Sequence, residues 1–422
     1  MQLVVMNIDN ENTTSGVTRY VQMLLGGLKS YSSIQVVYIC LMSSNTLIFP
    51  RITRQDGYLE ILFPLPLDKN NIIAERYWNN GYNAFVFKYF ENILQAGCIL
   101  HLQYVNLIDL ALYIKKRIPC KIIAHLHCIP WKSLYDRDVK KFNMLYHAVY
   151  KKKGDMPQAH EFSQIVCEMD YYHKSDYVVC VTKCAAGFLV NYMNVPSKKI
   201  RVIYNGLTDC VKKVKRESKV GIKRRVLYVG VLSKSKGLTY ILDALRIVRR
   251  KGFDVELVVA GTYTSQTKDK IYHDYPDIPI ILKGLICYKD LQDLYRTCEI
   301  GIIASMQEQC SYAAIEMLMH GMPVVSTMID GLGEIFKDEE SALKIDTVFS
   351  PIMGLSVNVE QMANQILRLF SNLLLRQKLQ NGGRLRYENK FTLRKMMDST
   401  VKLYNEILKN EDNFGECGNA SV

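Results

Sequence analysis

Two carboxylates, Glu308 and Glu316, are separated by seven residues in the stretch Glu308-Gln-Cys-Ser-Tyr-Ala-Ala-Ile-Glu316. The residues between and after them read as a short helix, stopped by Gly321 and Pro323 and followed by an apolar strand at Val324–Thr327. A carboxylate in the entry loop and another about two helical turns later can reach different parts of one extended ligand. The backbone N–H groups of the first turn, near Ser311 and Tyr312, lack intrahelical partners and carry partial positive charge. Acids for hydroxyls beside a helix N-terminus for phosphates suit a sugar joined to a diphosphate.

The elements that must position these groups come from a repeated pattern of short β-branched runs and helix-period segments. Leu3–Ile8 reads as a first strand, followed by a polar loop ending at the turn residue Gly16 and a helix over Val17–Leu28. Strands follow at Ile34–Leu41, Ile99–Leu102, Lys121–His125, Tyr177–Val181 and Ile200–Ile203, with helices at Asn106–Lys116 and Ala185–Met193 among the gaps. A second series starts at Val226-Leu-Tyr-Val-Gly230 and passes through the loop Val231–Lys236 into a helix with Leu238, Ile241, Leu242, Leu245 and Val248 on one face. Val255–Ala260, Ile280–Lys283, Glu299–Ile303 and Pro323–Ser326 continue it. Strands alternating with helices imply α/β domains with parallel sheets covered on both faces, here two doubly wound domains in succession. The expected boundaries are 1–207, a basic linker over 208–225, a second domain over 226–390, an amphipathic helix over 391–409 packing near the first domain, and a loose tail over 410–422.

At 422 residues the chain is long enough for two or three cores, and its net charge of +13, spread over both halves, suits an anionic partner. The charge alone does not choose between nucleotides, an anionic membrane and nucleic acid. Twelve cysteines occur singly with no zinc-ligand spacing, which reads as reduced, buried, small apolar residues in a cytosolic protein. The N-terminus lacks the features of a signal peptide, and no apolar run is long enough to cross a bilayer. The stretch Trp131–Lys153 places Trp131, Leu134, Tyr135, Phe142, Leu145 and Tyr146 at helical spacing with lysines largely elsewhere. Such a helix either packs on the first domain or lies on an anionic membrane.

In order along the chain stand Gly16 after the first strand, His127 after another, Asn205-Gly206, Lys236-Gly237, the Glu308/Glu316 pair, Gly321, Pro323-Val-Val and Gly331…Glu334. This resembles the retaining glycosyltransferases of GT-B fold, and most closely glycosyltransferase family 4, over roughly residues 1–409. The form Glu-Gln-Cys-Ser-Tyr is similar to a subgroup seen in Bacteroidetes. The resemblance implies two Rossmann-like domains facing across a cleft, the second holding a UDP- or GDP-linked sugar and the first offering an acceptor. It implies that Glu308 contacts donor-sugar hydroxyls, Glu316 the ribose and Lys236 the diphosphate, with His127 near the donor sugar and Gly16 allowing close backbone approach. The implied donor-binding set is Gly16, Lys236, Glu308, Cys310, Ser311, Tyr312 and Glu316, and the catalytic set is His127, Lys236 and Glu308. No metal or other cofactor is implied. The implied partners are the nucleotide-sugar donor and a glycan, lipid-linked or peptide acceptor, with peripheral contact to an anionic membrane and no nucleic acid. The implied product belongs to cell-surface glycan, glycolipid or glycopeptide synthesis on the cytoplasmic side.

The pattern also departs from the family. Val231 stands where an arginine is usual after the glycine, leaving Lys234 as a substitute cation, and Ser311 stands where a glycine is common. A Ser311 hydroxyl can cap the helix, while its Cβ crowds a sugar. Other readings of the same residues stay open. The two glutamates can be solvent-facing charges and Lys236 a surface lysine. His125 competes with His127, since alternate strand residues face opposite ways. His101 lines the site or sits in the core, and Glu334 holds the donor or caps a helix. An epimerase on the same fold and a catalytically weak sugar-nucleotide binder remain as alternatives.

Overall fold

The computed structural model describes residues 1–8, 15–44, 47–64, 80–129, 142, 144, 146, 159–211, 224–350 and 354–415. They form two compact units. The first contains the described residues up to Tyr204 together with the terminal helix, and the second runs from Asn205 to Thr392.

The first unit is built on a sheet ordered β3-β4-β2-β1-β5-β6-β7-β8. Its strands are β1 (Gln2–Ile8), β2 (Gln35–Ser44), β3 (Arg51–Gln55), β4 (Tyr58–Pro64), β5 (Cys98–Leu102), β6 (Cys120–Leu126), β7 (Tyr177–Cys180) and β8 (Ile200–Val202). All neighbours pair in parallel except the β3–β4 hairpin at the edge. β1 lies centrally, and Leu3, Val4, Val5 and Met6 are fully buried, as an apolar strand covered on both faces must be. The chain leaves β1 toward β2 on one side and later returns to place β5 on the other, so the strand order reverses between β1 and β5. The loops beyond the carboxyl ends of such a strand pair open a crevice.

The terminal helix Leu393–Gly415 belongs to this unit. Its Met397 packs against Gly27 so closely that a Cβ there would lie 2.5 Å from the sulfur. Tyr404 Oη meets His101 Nδ1 at 2.8 Å, and Glu406 is ion-paired with Arg201.

The second unit has a six-stranded parallel sheet, β11-β10-β9-β12-β13-β14. These strands are β9 (Arg224–Val229), β10 (Val255–Ala260), β11 (Ile280–Gly284), β12 (Ile300–Ile303), β13 (Val324–Thr327) and β14 (Leu343–Ile345). The order reverses between β9 and β12. A separate hairpin joins β15 (Thr347–Ser350) and β16 (Gly354–Val357). The helix Leu238–Arg250 buries Leu238, Ile241, Leu242, Leu245 and Val248 on the sheet, the stripe that its 3.6-residue period dictates.

Several expected boundaries change. Gly16 is the first residue of the helix Gly16–Leu28 rather than a turn residue, because Ser15 caps the helix by accepting the Thr18 N–H at 3.0 Å. Arg224 and Arg225 open β9 instead of ending a linker. Arg224 pairs with Glu299 at 2.7 Å and Arg225 with Glu256 at 2.6 Å, so neighbouring acids bring their charges into the sheet. The rest of the basic run, 212–223, lies outside the described residues. The terminal helix runs to Gly415, past the expected end at 409, because no breaker precedes that glycine. The basic amphipathic helix over Trp131–Lys153 lies outside the described residues except for Phe142 and Tyr146, which are buried and helical, and Met144, which is exposed. None of the eleven described cysteines is in a disulfide. Cys128, Cys184, Cys210 and Cys287 are exposed, against the expectation of uniform burial, because each stands in a loop or at a helix end rather than in an apolar strand. Among the described residues no helix is long and apolar enough to cross a membrane.

Gly237 is demanded twice over. Its φ is +73°, and a Cβ would sit 2.2 Å from the Ala304 carbonyl oxygen. Gly237→Ala is therefore expected to destabilise the second unit by more than ~2 kcal/mol, from left-handed strain plus a backbone clash. A urea denaturation midpoint matching the parent protein would contradict this.

Candidate functional site

The reversal between β9 and β12 decides what stands at the sheet's carboxyl edge in the second unit. The loop after β9 carries Gly230 to Lys236, and the loop after β12 carries Ala304 to Ser311. They are tied backbone to backbone, Met306 N–H donating to Ser235 C=O at 2.8 Å. Lys236 ends a short 3-10 turn, Lys234–Lys236, and its Nζ lies 2.5 Å from Glu308 Oε2. Both side chains are largely but not wholly covered, at 30% and 17% exposure. Lysine and glutamate 72 positions apart in sequence thus form one site. Glu308 is further held through its backbone: its N–H reaches Asp330 Oδ2 at 3.4 Å, and its C=O accepts from Gly331 N–H at 3.1 Å.

Close packing of main chain underlies this edge. Gly261, at φ +152°, presses on Gly230 so tightly that a Cβ would lie 1.9 Å from the Gly230 oxygen. Gly230 N–H in turn donates to Ala260 C=O at 2.9 Å. Val231, where the family usually has arginine, is 54% exposed, and its carbonyl accepts from Tyr228 Oη at 2.9 Å. Lys234 is exposed and makes no ion pair among the described residues.

Ser311 is the N-cap of the helix Tyr312–Met319, its Oγ accepting the Ala314 N–H at 3.4 Å. That leaves the N–H groups of Tyr312 and Ala313 in the turn ahead of the intrahelical ladder. Cys310 precedes the cap. Its carbonyl accepts from Asn205 Nδ2 at 3.0 Å, and burial pushes its thiol up to about 12, which disfavours the thiolate. Asn205 therefore braces the loop that leads into the helix. Tyr312 is itself buried.

Glu316 is not the solvent-facing charge that one of the open readings allowed. It is 1% exposed, on the inward face of its helix, and Oε2 accepts from the buried Tyr295 Oη at 2.7 Å. His320 stacks on the Tyr295 ring, with centroids 5.0 Å apart. Glu334 lies in the first turn of the short helix Leu332–Ile335, and its backbone carbonyl accepts from Arg386 at 2.6 Å.

In the first unit, Gly16 has no left-handed φ, and no atom of the described residues lies within 4 Å of where a Cβ would stand. His127 stands one residue beyond β6, half-buried, with Nε2 2.9 Å from Gln103 Oε1. His125 is 2% exposed, so His127 is the more accessible of the two. The rings of His125 and His127 stack with centroids 4.2 Å apart, and Tyr20 lies against both. His101 is buried too, hydrogen-bonded through Nε2 to His125 Nδ1 at 3.0 Å. Tyr171 Oη accepts the His125 N–H and donates to Leu102 C=O, both at 2.8 Å, linking the ends of β5 and β6. Burial drives all three imidazoles toward the neutral form. His101 and His127 are lowered to about 3, and His125, with help from the neighbouring rings, well below its ordinary value.

Two family models match the chain: glycosyltransferase family 4 over residues 14–209 and glycosyl transferases group 1 over residues 223–372. The chain is a member of the group 1, family 4 glycosyltransferases. An uncharacterized glycosyltransferase of Methanocaldococcus jannaschii is 23% identical over 256 residues, 57% of this chain and 63% of the relative. The capsular polysaccharide biosynthesis glycosyltransferase CapM of Staphylococcus aureus is 25% identical over 193 residues, 44% of this chain and 47% of CapM. These matches thus span less than two thirds of either relative. The Anabaena protein Alr3699/HepE, solved in complex with UDP, superposes with a TM-score of 0.68 at 12% identity, covering 95% of this chain and 99% of that one. The fold is GT-B, with two Rossmann-like α/β domains.

Gln103, Tyr20, Tyr295 and Asn205's brace on Cys310 are the site features that sequence reasoning missed. Gln103 had one available signal: it directly follows a buried strand that enters the crevice side of the sheet.

The histidine stack makes stability depend on acid in a definite direction. Folded-state values below the ordinary 6.5 mean that the unfolded chain binds protons first as pH falls. The contribution is complete above pH 6.5 and is lost toward about pH 3. Each fully buried histidine should cost up to about 1.4 kcal/mol per pH unit across that window. Thermal melts from about pH 7 to about pH 4 should show this loss, and a His101→Gln variant should show a shallower one.

Proposed function

We propose that the protein transfers a sugar from a nucleoside diphosphate donor to an acceptor hydroxyl with retained anomeric configuration. The observation that carries this reading is the contact of Lys236 Nζ with Glu308 Oε2 at the strand reversal, beside the Ser311-capped helix start. An acid and a base this close offer a carboxylate for sugar hydroxyls and an ammonium for phosphate oxygens within one ligand's length. The helix N-terminus and Lys234 add positive potential on the phosphate side, so that the leaving group is met by protein charge rather than by a metal.

In this reading the bond between the anomeric carbon and the diphosphate oxygen breaks, and the acceptor oxygen bonds to the same face of that carbon. The acceptor's proton passes to the departing phosphate oxygen, and the nucleoside diphosphate leaves. The charge developing on that oxygen is what Lys236 stabilises. Glu308 holds the sugar, and Glu316, oriented by Tyr295, takes ribose hydroxyls. Cys310 and Tyr312 shape the wall on either side of the cap. His127 and Gly16, which follow strands of the first unit, are the groups this reading assigns to a hydroxyl-bearing ligand. The UDP complex of HepE supports a uridine nucleotide, with GDP as the competitor. CapM's part in capsule synthesis supports a cell-surface glycan acceptor. The basic charge, +13, supports contact with an anionic membrane face where the acceptor is lipid-linked.

Lys236→Ala is expected to lower kcat by roughly 10²–10³, the range for losing one transition-state charge partner. Glu308→Gln should instead raise the KM for the nucleotide sugar while leaving free nucleoside diphosphate binding nearly intact. Thermal shifts with UDP, GDP, ADP and their sugar conjugates, paired with product analysis, read out both effects. Free epimerised sugar as the product, or parent-like kinetics in both variants, would overturn the assignment.

A further inference from the structure

The hydrogen positions on the first unit's histidines follow from their partners. Gln103, 2% exposed, sits directly after β5. Its Nε2 donates to the His101 backbone carbonyl at 3.4 Å, and a carbonyl oxygen only accepts. The amide is therefore oriented with Oε1 toward His127, 2.9 Å from Nε2. Oε1 also only accepts, so His127 Nε2 carries the hydrogen. A neutral imidazole has one N–H, and burial keeps this ring neutral. Nδ1 is then a bare lone pair, on a half-buried ring whose only hydrogen bond among the described residues is the one to Gln103.

We propose that Gln103 is a positioning residue that fixes His127 in the Nε2–H tautomer, presenting Nδ1 as an acceptor for a substrate hydroxyl. This rests on the glycosyl-transfer reading for the identity of the substrate. It goes beyond that reading in naming the polarity of the contact. An acceptor nitrogen takes a hydrogen from a sugar O–H and has none to offer a phosphate or carboxylate oxygen. His127 therefore selects the uncharged, hydroxyl-bearing part of a ligand.

The surrounding stack holds the ring in place for this. His125 lies parallel to it within 12°, and Tyr20 meets it edge-on with centroids 4.9 Å apart. Behind them His101 bridges His125 and Tyr404, with contacts of 3.0 and 2.8 Å. Donation by the Tyr404 hydroxyl to His101 Nδ1 leaves the His101 hydrogen on Nε2, facing His125 Nδ1. The donors then run from Tyr404 through His101 to His125, and among the described residues no hydrogen bond joins these groups to His127, so none of them takes its lone pair.

The test compares Gln103→Met with Gln103→Glu in the full-length protein. Methionine removes the acceptor, whereas glutamate keeps one. Long-range proton–nitrogen NMR on the imidazoles should report the Nε2–H tautomer of His127 in the parent and in Gln103→Glu, and its loss in Gln103→Met. In parallel, kcat/KM for the nucleotide sugar should fall roughly tenfold in Gln103→Met and recover in Gln103→Glu. An Nδ1–H tautomer in the parent, or unchanged tautomer and kinetics in Gln103→Met, would overturn the proposal. The NMR readout needs no turnover. A parent protein inactive on every donor would therefore count against glycosyl transfer, while the tautomer result would still decide the role of Gln103.

Discussion

Neighbouring of β9 and β12 is the constraint on which the candidate site depends. These strands are far apart in sequence, yet the sheet order reverses between them, so the loops that follow both open at one edge. Helices cover opposite faces on the two sides of such a reversal, and no crossover passes over the gap. Lys236 and Glu308 meet because of this, and the Met306–Ser235 backbone bond keeps the two loops in register. The ion pair is then a consequence of topology. Its partial exposure leaves it weak as a source of stability and available to a ligand.

Main-chain contact does the rest of the positioning. Gly237 and Gly261 let backbone meet backbone where any side chain would intrude, and their N–H groups donate to the Lys234 and Gly284 carbonyls. The edge of the sheet is consequently set by atoms with little freedom. At Gly16 no described neighbour demands glycine.

The motifs with chemical character were legible because their logic is local. Ser311 before a helix, Gly237 after Lys236 and the spacing of Glu308 and Glu316 each predict a backbone conformation that the structure contains. The alternating strands and helices were legible for the same reason, since a buried parallel strand is a continuous apolar run. What sequence could not supply was burial and partnership across the chain. A solvent-facing Glu316 stays open in the sequence until Tyr295, from another helix, is placed against it. Gln103 reads as an ordinary polar residue until His101 and His127 flank it. The β3–β4 hairpin and the helices Asn80–Lys88 and Ala159–Lys174 escaped because their apolar residues follow no clean period, β3 being exposed along nearly its whole length. Arg224 and Arg225 hid a strand start because their charges are matched by acids distant in sequence.

The terminal helix gives the first unit an unusual history during synthesis. Met397 fills the notch at Gly27, Tyr404 closes the hydrogen-bond chain at His101, and Glu406 pairs with Arg201. Every one of those partners leaves the ribosome some two hundred residues or more before the helix does. Until residues 393–415 have been made, the first unit must wait with an uncovered groove along the helix Gly16–Leu28 and an imidazole cluster lacking its outermost member. The second unit, contiguous from Asn205 to Thr392, has all its parts before then. Vectorial folding thus runs against the order of the sequence: the half made first is the half completed last, and a nascent chain arrested before residue 393 would carry a first unit that is still open.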